Sequence, residues 1–432
     1  MFKTFRNAWK IPELRKKILF TLMILLLYRI GNRIPVPYVD VETLRTFFDQ
    51  TLSNTVLGFY NTLSGSAFSE ATVLALSIQP YINASIIIQL LTIAIPAMER
   101  MAKDEGEVGK KKLERITRYT TVGLGLLMGV AYTMMLKNYG ILDPGSTFIN
   151  YVVIVLSFTA GSALVMWLGE QITEFGIGNG ISIVLFANII SRIPDNTIGM
   201  ITNLSNGTMK WWGAIIVVLG VVALVLLIVF INDAERRIPI QYAKRVVGRK
   251  IYGGQNTNLP IKVNMSGVMP IIFAQSIASL PATVFAFTNP NGTSGNGFVQ
   301  FMINIFKSNS WSYAILYFLL IIAFSYFYAA VQYDPVEISN NLKKNGGFIP
   351  GFRPGKPTAD FIGRVIHKIT FFGAIYLAIV ALLPIIANTS ISGAKSLAIG
   401  GTSVIIVVGV ALETVQALEA QMLMRHYKGF LE

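Results

Sequence analysis

The sequence lacks the residues on which most metal and thiol chemistry depends. It has no cysteine and only two histidines, His367 and His426, among 432 residues. Disulfide bonds, cysteine-ligated metals and thiol nucleophiles are therefore excluded, and a histidine-built metal site is not expected. No HExxH, GxSxG or phosphate-loop pattern with the required spacing occurs either. The sequence predicts no enzyme, no metal site and no cofactor.

Charged residues are also scarce. Only 13% of the residues are charged, against about a quarter in soluble domains, and the mean hydropathy is +0.57. This deficit indicates lipid as the solvent, and a spanning helix needs about 20 apolar residues. We therefore predict an all-α polytopic membrane protein. Its ten candidate spans are centred on 18–35, 73–96, 117–136, 149–169, 179–198, 211–232, 265–287, 312–333, 369–387 and 397–417.

The basic residues, which give a net charge of +14, are distributed unevenly between the loops. An even number of spans puts both termini on one side. The loops on that side hold 28 Lys and Arg, and the opposite loops hold six. Because basic loops stay in the cytoplasm, we expect both termini to be cytoplasmic.

The ten spans divide into two halves, 1–198 and 199–432, with five spans each. An odd number per half gives the halves opposite topology, an arrangement found in channels and in secondary transporters. A transporter is therefore an alternative to a channel, although coupled transport needs ionisable groups within spans, and few occur here outside the helix ends: Arg29 and Glu413. Arg29 either snorkels to the interface or faces a water-filled cavity.

The segment 57–72, before the second span, is mildly apolar and rich in small residues. One interpretation is an ordinary loop. The other is a short helix folded back into the protein, with Gly65 and Ser66 as its break. Irregular backbone at membrane depth is tolerated only where it is buried in protein or lines a cavity.

Two basic loops, 235–262 and 334–368, are longer than a connector needs and contain glycine turns. Three interpretations are open: the loops set topology, they contact anionic lipid, or they dock a partner with phosphate or carboxylate groups. The candidate docking residues are Arg236, Arg237, Lys244, Arg245, Arg249, Lys250, Lys343, Lys344 and Arg353.

Eight segments, in order along essentially the whole chain, match one family. They are 78–91 (IQPYINASIIIQLL), 106–112 (GEVGKKK), 166–182 (MWLGEQITEFGIGNGIS), 241–245 (QYAKR), 259–270 (LPIKVNMSGVMP), 341–344 (NLKK), 349–355 (IPGFRPG) and 400–403 (GGTS). Together they resemble the SecY/Sec61-alpha family. The resemblance implies ten helices in two inverted halves around an hourglass pore, closed by a plug helix at about residues 59–70. It also implies a lateral gate between spans 2 and 3 and spans 7 and 8.

The resemblance assigns roles to particular residues. It implies an apolar pore ring of Ile78, Ile82, Ile181, Leu185, Ile272 and Ile406. It implies a plug that includes Tyr60, Asn61, Leu63, Ser64, Gly65, Ser66, Ala67 and Phe68. Ser66 stands where bacterial members often have glycine, and its small size predicts little consequence. Gln89, Gln275 and Ser276 are polar residues that could face the lateral gate, and a static contact between helices is the alternative for them.

The resemblance also implies the function and the partners. It predicts the channel subunit of the Sec translocon, which passes unfolded secretory polypeptides across the bacterial plasma membrane and releases membrane segments sideways into lipid. The expected partners are small SecE-type and SecG-type membrane subunits, the ATPase SecA, the ribosome, secretory and membrane-protein substrates, and anionic lipids. The channel itself is expected to be passive, with energy from SecA or the ribosome.

Overall fold

The computed structural model describes most of the chain. The described residues are 2–48, 56–103, 105–142, 145, 147–207, 210–242, 245–247, 250–252, 256–265, 267–288, 310–390 and 401–428.

Helices dominate the first half of the chain. In order they are α1 (Phe2–Lys10), α2 (Pro12–Gly31), α3 (Val41–Phe47), α4 (Val56–Ser64), α5 (Gln79–Ala94), α6 (Pro96–Lys103), α7 (Gly106–Asn138), α8 (Phe148–Phe175), α9 (Gly180–Ser191) and α10 (Ile193–Ser205).

The second half adds short strands between its helices. The elements are α11 (Trp211–Asp233), β1 (Glu235–Tyr242), β2 (Arg245–Val247), β3 (Lys250–Tyr252), β4 (Asn256–Lys262), α12 (Met269–Thr288), α13 (Trp311–Gln332), α14 (Pro335–Lys344), β5 (Gly347–Phe348), α15 (Lys356–Ser390) and α16 (Gly401–Lys428).

Each predicted span overlaps at least one helix, and the polytopic helical class is confirmed. Within the described part of the chain, six helical segments are long and apolar enough to cross a membrane, or seven if α5 and α6 form one broken span. The remaining predicted spans coincide with α2, whose first turns carry several charges, with the 12-residue α9, and with α12.

Two spans differ in extent from the sequence prediction because of proline. α5 starts only at Gln79, and a bend of 106° separates it from α6. Pro96 forces the preceding Ile95 into extended conformation (φ −110°, ψ 112°), which ends the helix. In the fifth span, α9 stops at Ser191, and Pro194 sits in the first turn of the next helix.

The described chain forms two compact units. Unit 1 contains residues 1–207, 276–313 and 410–432, and unit 2 contains 208–275 and 314–409. One apolar cluster of unit 1 joins the turn after α2 and the chain before α5 to α7 and α8, and it includes Val36, Leu57, Phe68, Leu76, Tyr132 and Phe158.

Unit 2 contains a small antiparallel sheet of strand order β4–β1–β5. β1 pairs with β4 from Glu235↔Lys262 to Gln241↔Asn256, and its end pairs with β5 at Gln241↔Phe348. The two basic loops therefore form one structure, which we call the basic sheet. Its buried core consists of Ile238, Ile240, Ile261, Met265, Leu342, Ile349, Ile362 and Ile366.

Candidate plug and basic docking surface

The plug segment, residues 56–77, begins as a helix and then turns back. α4 ends at Ser64, and Gly65 (φ +66°) and Ser66 (φ +73°) follow in left-handed conformation. The amide of Ser66 donates to the carbonyl of Asn61 (3.0 Å), which is the long-range bond of a Schellman cap. The break therefore lies where the folded-back interpretation placed it, and the plain-loop interpretation is wrong.

Ser66 shows why side-chain size is an incomplete criterion. Its hydroxymethyl group is small, but a residue with a Cβ in left-handed conformation costs about 1–2 kcal/mol relative to the right-handed region. Glycine escapes this cost. The left-handed conformation of Ser66 therefore adds a modest backbone strain to the plug segment. The small size of serine did not predict this strain.

The irregular backbone after the break keeps its polar groups paired. The amide of Ser69 donates to the side-chain Oδ1 of Asn61 (3.0 Å), and the amide of Phe68 donates to the Oγ of Ser64 (3.1 Å). Both acceptor side chains are buried. Side chains of α4 thus replace the hydrogen bonds that a continued helix would have made, as burial at membrane depth requires.

The later part of the segment is tied to the chain after α2 and packed on α8. Val36 donates its amide to the carbonyl of Ala71 (3.0 Å), and Val73 donates its amide to the carbonyl of Ile34 (2.9 Å). The Val73 carbonyl oxygen lies 1.8 Å from the position that a Cβ on Gly161 would occupy. Only glycine at position 161 therefore permits this approach.

A buried polar cluster, which we call the latch, holds the end of α4. Asn188 on α9 has no exposed surface, and its Nδ2 donates to the Leu63 carbonyl (2.7 Å) and to the Tyr28 hydroxyl (2.8 Å). The Tyr28 hydroxyl lies 3.2 Å from the Oγ of Ser77. Because the last carbonyls of a helix have no partner within it, the amide satisfies a group that burial would otherwise leave unpaired.

Aromatic packing supports the other side of the plug segment. The rings of Phe68 and Tyr132 stack with centroids 4.3 Å apart, and Phe158 packs on Tyr132 at 5.0 Å. The Tyr132 hydroxyl donates to the Phe68 carbonyl (2.5 Å). The segment is therefore held by apolar contact and by hydrogen bonds to its own backbone, which specify one seated position.

The remaining predicted plug residues follow this pattern of burial. Tyr60, Leu63, Ala67 and Phe68 are at most 5% exposed.

The four ring residues predicted in unit 1 lie on α9 and at the start of α5. Ile78, Ile82 and Leu185 are at most 5% exposed, and Ile181 is half-buried. A Cβ on Gly169 of α8 would lie 3.4 Å from Ile181 Cγ1 and 3.6 Å from Ile78 Cδ1. Two of the four residues therefore flank one glycine of α8.

The two ring residues in unit 2 lie on neighbouring helices. Ile272 is half-buried in the first turn of α12, and Ile406 is 1% exposed on α16. Val268 Cγ2 lies 2.7 Å from the position of a Cβ on Gly409, so the start of α12 approaches α16 closely.

The candidate gate residues differ in exposure. Gln89 on α5 is exposed, whereas Gln275 and Ser276 on α12 are buried, at 8% and 5%. Each of the three makes a polar interaction.

Five basic candidates whose side chains are described lie at the surface of the basic sheet. Arg236 and Arg237 on β1, Lys343 and Lys344 at the end of α14, and Arg353 before α15 are exposed. The Nε of Arg237 pairs with Glu235 at 2.7 Å.

The side chains of the other four basic candidates are not among the described parts of the chain. Lys244 and Arg249 lie outside the described residues, and Arg245 and Lys250 are described only by their backbone, in the β2–β3 hairpin.

The backbone around Arg353 is held by hydrogen bonds and by ring stacking. The Thr358 hydroxyl donates to the Arg353 carbonyl (2.8 Å), the Ser339 hydroxyl donates to the Gly355 carbonyl (2.8 Å), and the Phe352 ring stacks on Phe361 at 4.2 Å. The loop that carries Arg353 is therefore fixed while the guanidinium stays in solvent.

The latch residues were missed by sequence reasoning. Asn188 is the single amide in an otherwise apolar stretch of α9, and Tyr28 lies in the first span beside Arg29. A lone amide in a membrane helix indicates a hydrogen bond to another helix, and this signal was available. Its partner, a backbone carbonyl of the plug segment, has no sequence signature.

A buried segment that folds back between the helices of a membrane protein can close a pore. This feature favours a gated channel as the class of protein, and comparison with known proteins agrees. The SecY family model matches residues 72–415. A protein translocase subunit SecY from Streptomyces coelicolor is 43% identical over 443 residues and covers all of both chains.

Two solved structures share the fold. A protein-conducting channel matches with a TM-score of 0.68 at 19% identity, over 96% of both chains. Sec61 from a canine ribosome-channel complex matches with a TM-score of 0.63 at 18% identity, again over 96% of both chains. The chain belongs to the SecY family. The predicted protein-conducting channel is therefore confirmed at the level of the family, in preference to the transporter alternative.

Proposed function

We propose that this chain is the central channel subunit of a bacterial Sec translocon. Unfolded secretory polypeptides cross the plasma membrane through it, and membrane segments leave it sideways into lipid. The seated plug segment carries the proposal, because a buried, irregular stretch held by reversible hydrogen bonds can seal a pore and still be displaced.

The apolar ring supplies the remaining seal. Ile78, Ile82, Ile181, Leu185, Ile272 and Ile406 form the constriction in this proposal. A narrow apolar ring is poorly wetted and opposes ion leak. It also presents no fixed hydrogen-bonding pattern, so it accepts unrelated polypeptide sequences.

The polar side chains of α5 and α12 contribute to the lateral gate in this proposal. Gln89, Gln275 and Ser276 exchange hydrogen-bond partners as the helices separate, at well under 2 kcal/mol for each bond.

The basic sheet is the docking surface for the energy source. Both termini and the basic sheet face the cytoplasm, as the distribution of Lys and Arg favours. Exposed Arg forks suit the phosphates of ribosomal RNA or the carboxylates of a motor such as SecA. The canine Sec61 relative is part of a ribosome complex. Small SecE-type and SecG-type subunits complete the translocon.

One experiment tests the channel function directly. A photocrosslinking residue at position 82 is introduced into the full chain, and a secretory polypeptide is stalled halfway through the membrane. We expect crosslinks between position 82 and the stalled polypeptide, and none from Val218, an exposed position on α11. Absence of the crosslink at position 82, with translocation intact, contradicts the proposed pore.

A second experiment tests docking. Arg353→Glu reverses an exposed charge without disturbing a buried contact. We expect SecA-driven translocation into vesicles to fall by about tenfold or more while membrane insertion and thermal stability stay unchanged. Arg115→Glu, an exposed charge reversal on α7 outside the basic sheet, is the matched control. Equal transport by Arg353→Glu and the parent contradicts docking at this position.

A further inference from the structure

A polar cleft of about 360 Å³ lies in unit 1 beside the plug segment. The plug segment contributes one part of its wall, and α2, the chain after α2, α3, α9 and α10 contribute the rest. The lining includes Arg29, Arg33, Arg45, Asn61, Gly65 and Arg192.

The cleft has an excess of positive charge. Four arginines line it, against two carboxylates, Glu70 and Asp195. Glu70 already pairs with Arg33 at 3.4 Å. The lining therefore carries two more positive than negative charges.

Arg29 carries the strongest sign of a missing partner. Its Nη1 is buried and has no hydrogen-bond acceptor. This nitrogen lies 2.9 Å from the position of a Cβ on Gly65, and the unpaired Oδ1 of Asn188 lies 3.0 Å from the same position. A neutral amide oxygen can accept a hydrogen bond from the guanidinium, but it cannot balance the charge. The cavity interpretation of Arg29 is thus favoured over snorkelling.

We propose that the cleft binds a phosphate-class oxyanion, either inorganic phosphate or the headgroup of a lipid. A guanidinium presents its donors in a planar fork that matches two oxygens of such a group. The hydroxyl of Ser66 and the amide groups of Asn32 and Asn61 supply further donors around it.

Occupancy of the cleft stabilises the seated plug. The wall is complete only while Asn61, Gly65 and Ser66 of the plug segment face Arg29. A ligand that binds one conformation alone favours it by the factor 1 + [L]/Kd. At ten times the dissociation constant, the displaced population should fall about elevenfold.

The test uses a single cysteine in a chain that has none. Ala67→Cys replaces a small plug residue that is 1% exposed. The whole translocon is placed in vesicles of zwitterionic lipid, and the rate of maleimide labelling is measured in phosphate and in chloride of equal ionic strength. We expect phosphate at ten times its dissociation constant to slow labelling about elevenfold. A second arm replaces phosphate by anionic lipid, which distinguishes the headgroup from the free ion.

Two variants sharpen the result. Arg29→Gln should abolish the effect of phosphate and of anionic lipid, whereas Arg115→Gln, an exposed position on α7, should retain it. If Arg29→Gln does not fold, the comparison of phosphate with chloride in the parent still decides. Equal labelling in phosphate, in chloride and with anionic lipid overturns the proposal. The inference rests on the seated plug of the proposed channel. If the cleft binds no anion, crosslinking at position 82 is still expected, so the two proposals are tested separately.

Discussion

The plug segment and the basic sheet are both inserted between spanning helices, yet they are held differently. The plug segment combines apolar packing around Phe68 with buried hydrogen bonds to its backbone, from Asn188 and Tyr132. The basic sheet has an apolar core around Ile240, and its charged residues stay in solvent. A few hydrogen bonds can be broken one by one, whereas an apolar core is lost only as a whole. The first arrangement suits a part that moves, and the second suits a fixed platform.

The largest effect is expected in the basic sheet. Ile240 is 3% exposed and contacts Gly347 of β5, so Ile240→Ala should destabilise the basic sheet by about 2–5 kcal/mol. Hydrogen exchange of β1 and β5 amides measures this loss. Thr257→Ala, at its exposed cross-strand neighbour, should change the protection by less than about 0.5 kcal/mol. Similar losses in both variants would mean that the sheet has no cooperative core.

The next effect concerns the latch. Asn188→Leu keeps the side-chain volume similar but leaves the Leu63 carbonyl unpaired, at a cost of about 1–3 kcal/mol. We expect increased ion leak through vesicles and weaker discrimination of defective signal sequences. Tyr28→Phe removes the bonds of its hydroxyl to Asn188 and Ser77 but leaves the Leu63 carbonyl paired, so it should give a smaller change in the same direction.

The control for the latch is Asn206→Leu, at an exposed position after α10. This variant should leave ion leak unchanged. If Asn188→Leu also leaves leak and signal discrimination unchanged, the seated plug depends on its aromatic packing and the contrast with the platform disappears.

A smaller effect of opposite sign is expected at the break. Ser66→Gly removes the Cβ from a left-handed residue and should stabilise the seated plug by about 1 kcal/mol. Labelling of the Ala67→Cys probe should slow accordingly. Ser69→Gly lacks this benefit because Ser69 is not left-handed. Faster labelling in Ser66→Gly than in the parent would show that the strain argument is wrong.

The smallest effect depends on pH and lies in α3, whose Leu44 belongs to the same apolar cluster as the plug residue Phe68. Hydrogen bonds from the Thr43 side chain, and then its amide, hold the pKa of Asp40 below its ordinary value. A lowered pKa contributes stability at pH values above the ordinary pKa, and this contribution disappears as the pH falls through the lowered pKa. Residues 41–47 should therefore exchange amide hydrogens faster in acid.

Asp40→Asn provides the control for this pH dependence. Asparagine caps a helix as well as aspartate does but does not titrate. The variant should lack the acid-induced increase in exchange, and the same increase in parent and variant would exclude Asp40 as its source.

Much of the fold could be predicted from local sequence. The six or seven spans among the described residues follow from runs of apolar residues, and the end of α5 follows from Pro96. The break at Gly65 and Ser66 follows from small residues in a loop of unusual composition. The two basic loops could be predicted from their Lys and Arg content. Their strand pairing could not, because the register Gln241↔Phe348 joins residues that are distant in sequence.

The sequence by itself determined the membrane class, the charge asymmetry and the family, because these depend on composition and on short ordered motifs. Only the tertiary structure decided that Asn188 reaches the Leu63 carbonyl, that Gly161 admits the Val73 carbonyl, and that Arg29 faces a cleft. In the first two cases the partner is a backbone carbonyl, which Asn188 meets with its amide and Gly161 admits because it has no side chain. In the third case the partner of Arg29 is a cavity. Backbone carbonyls are the same at every position, so no sequence pattern marks which one will be met.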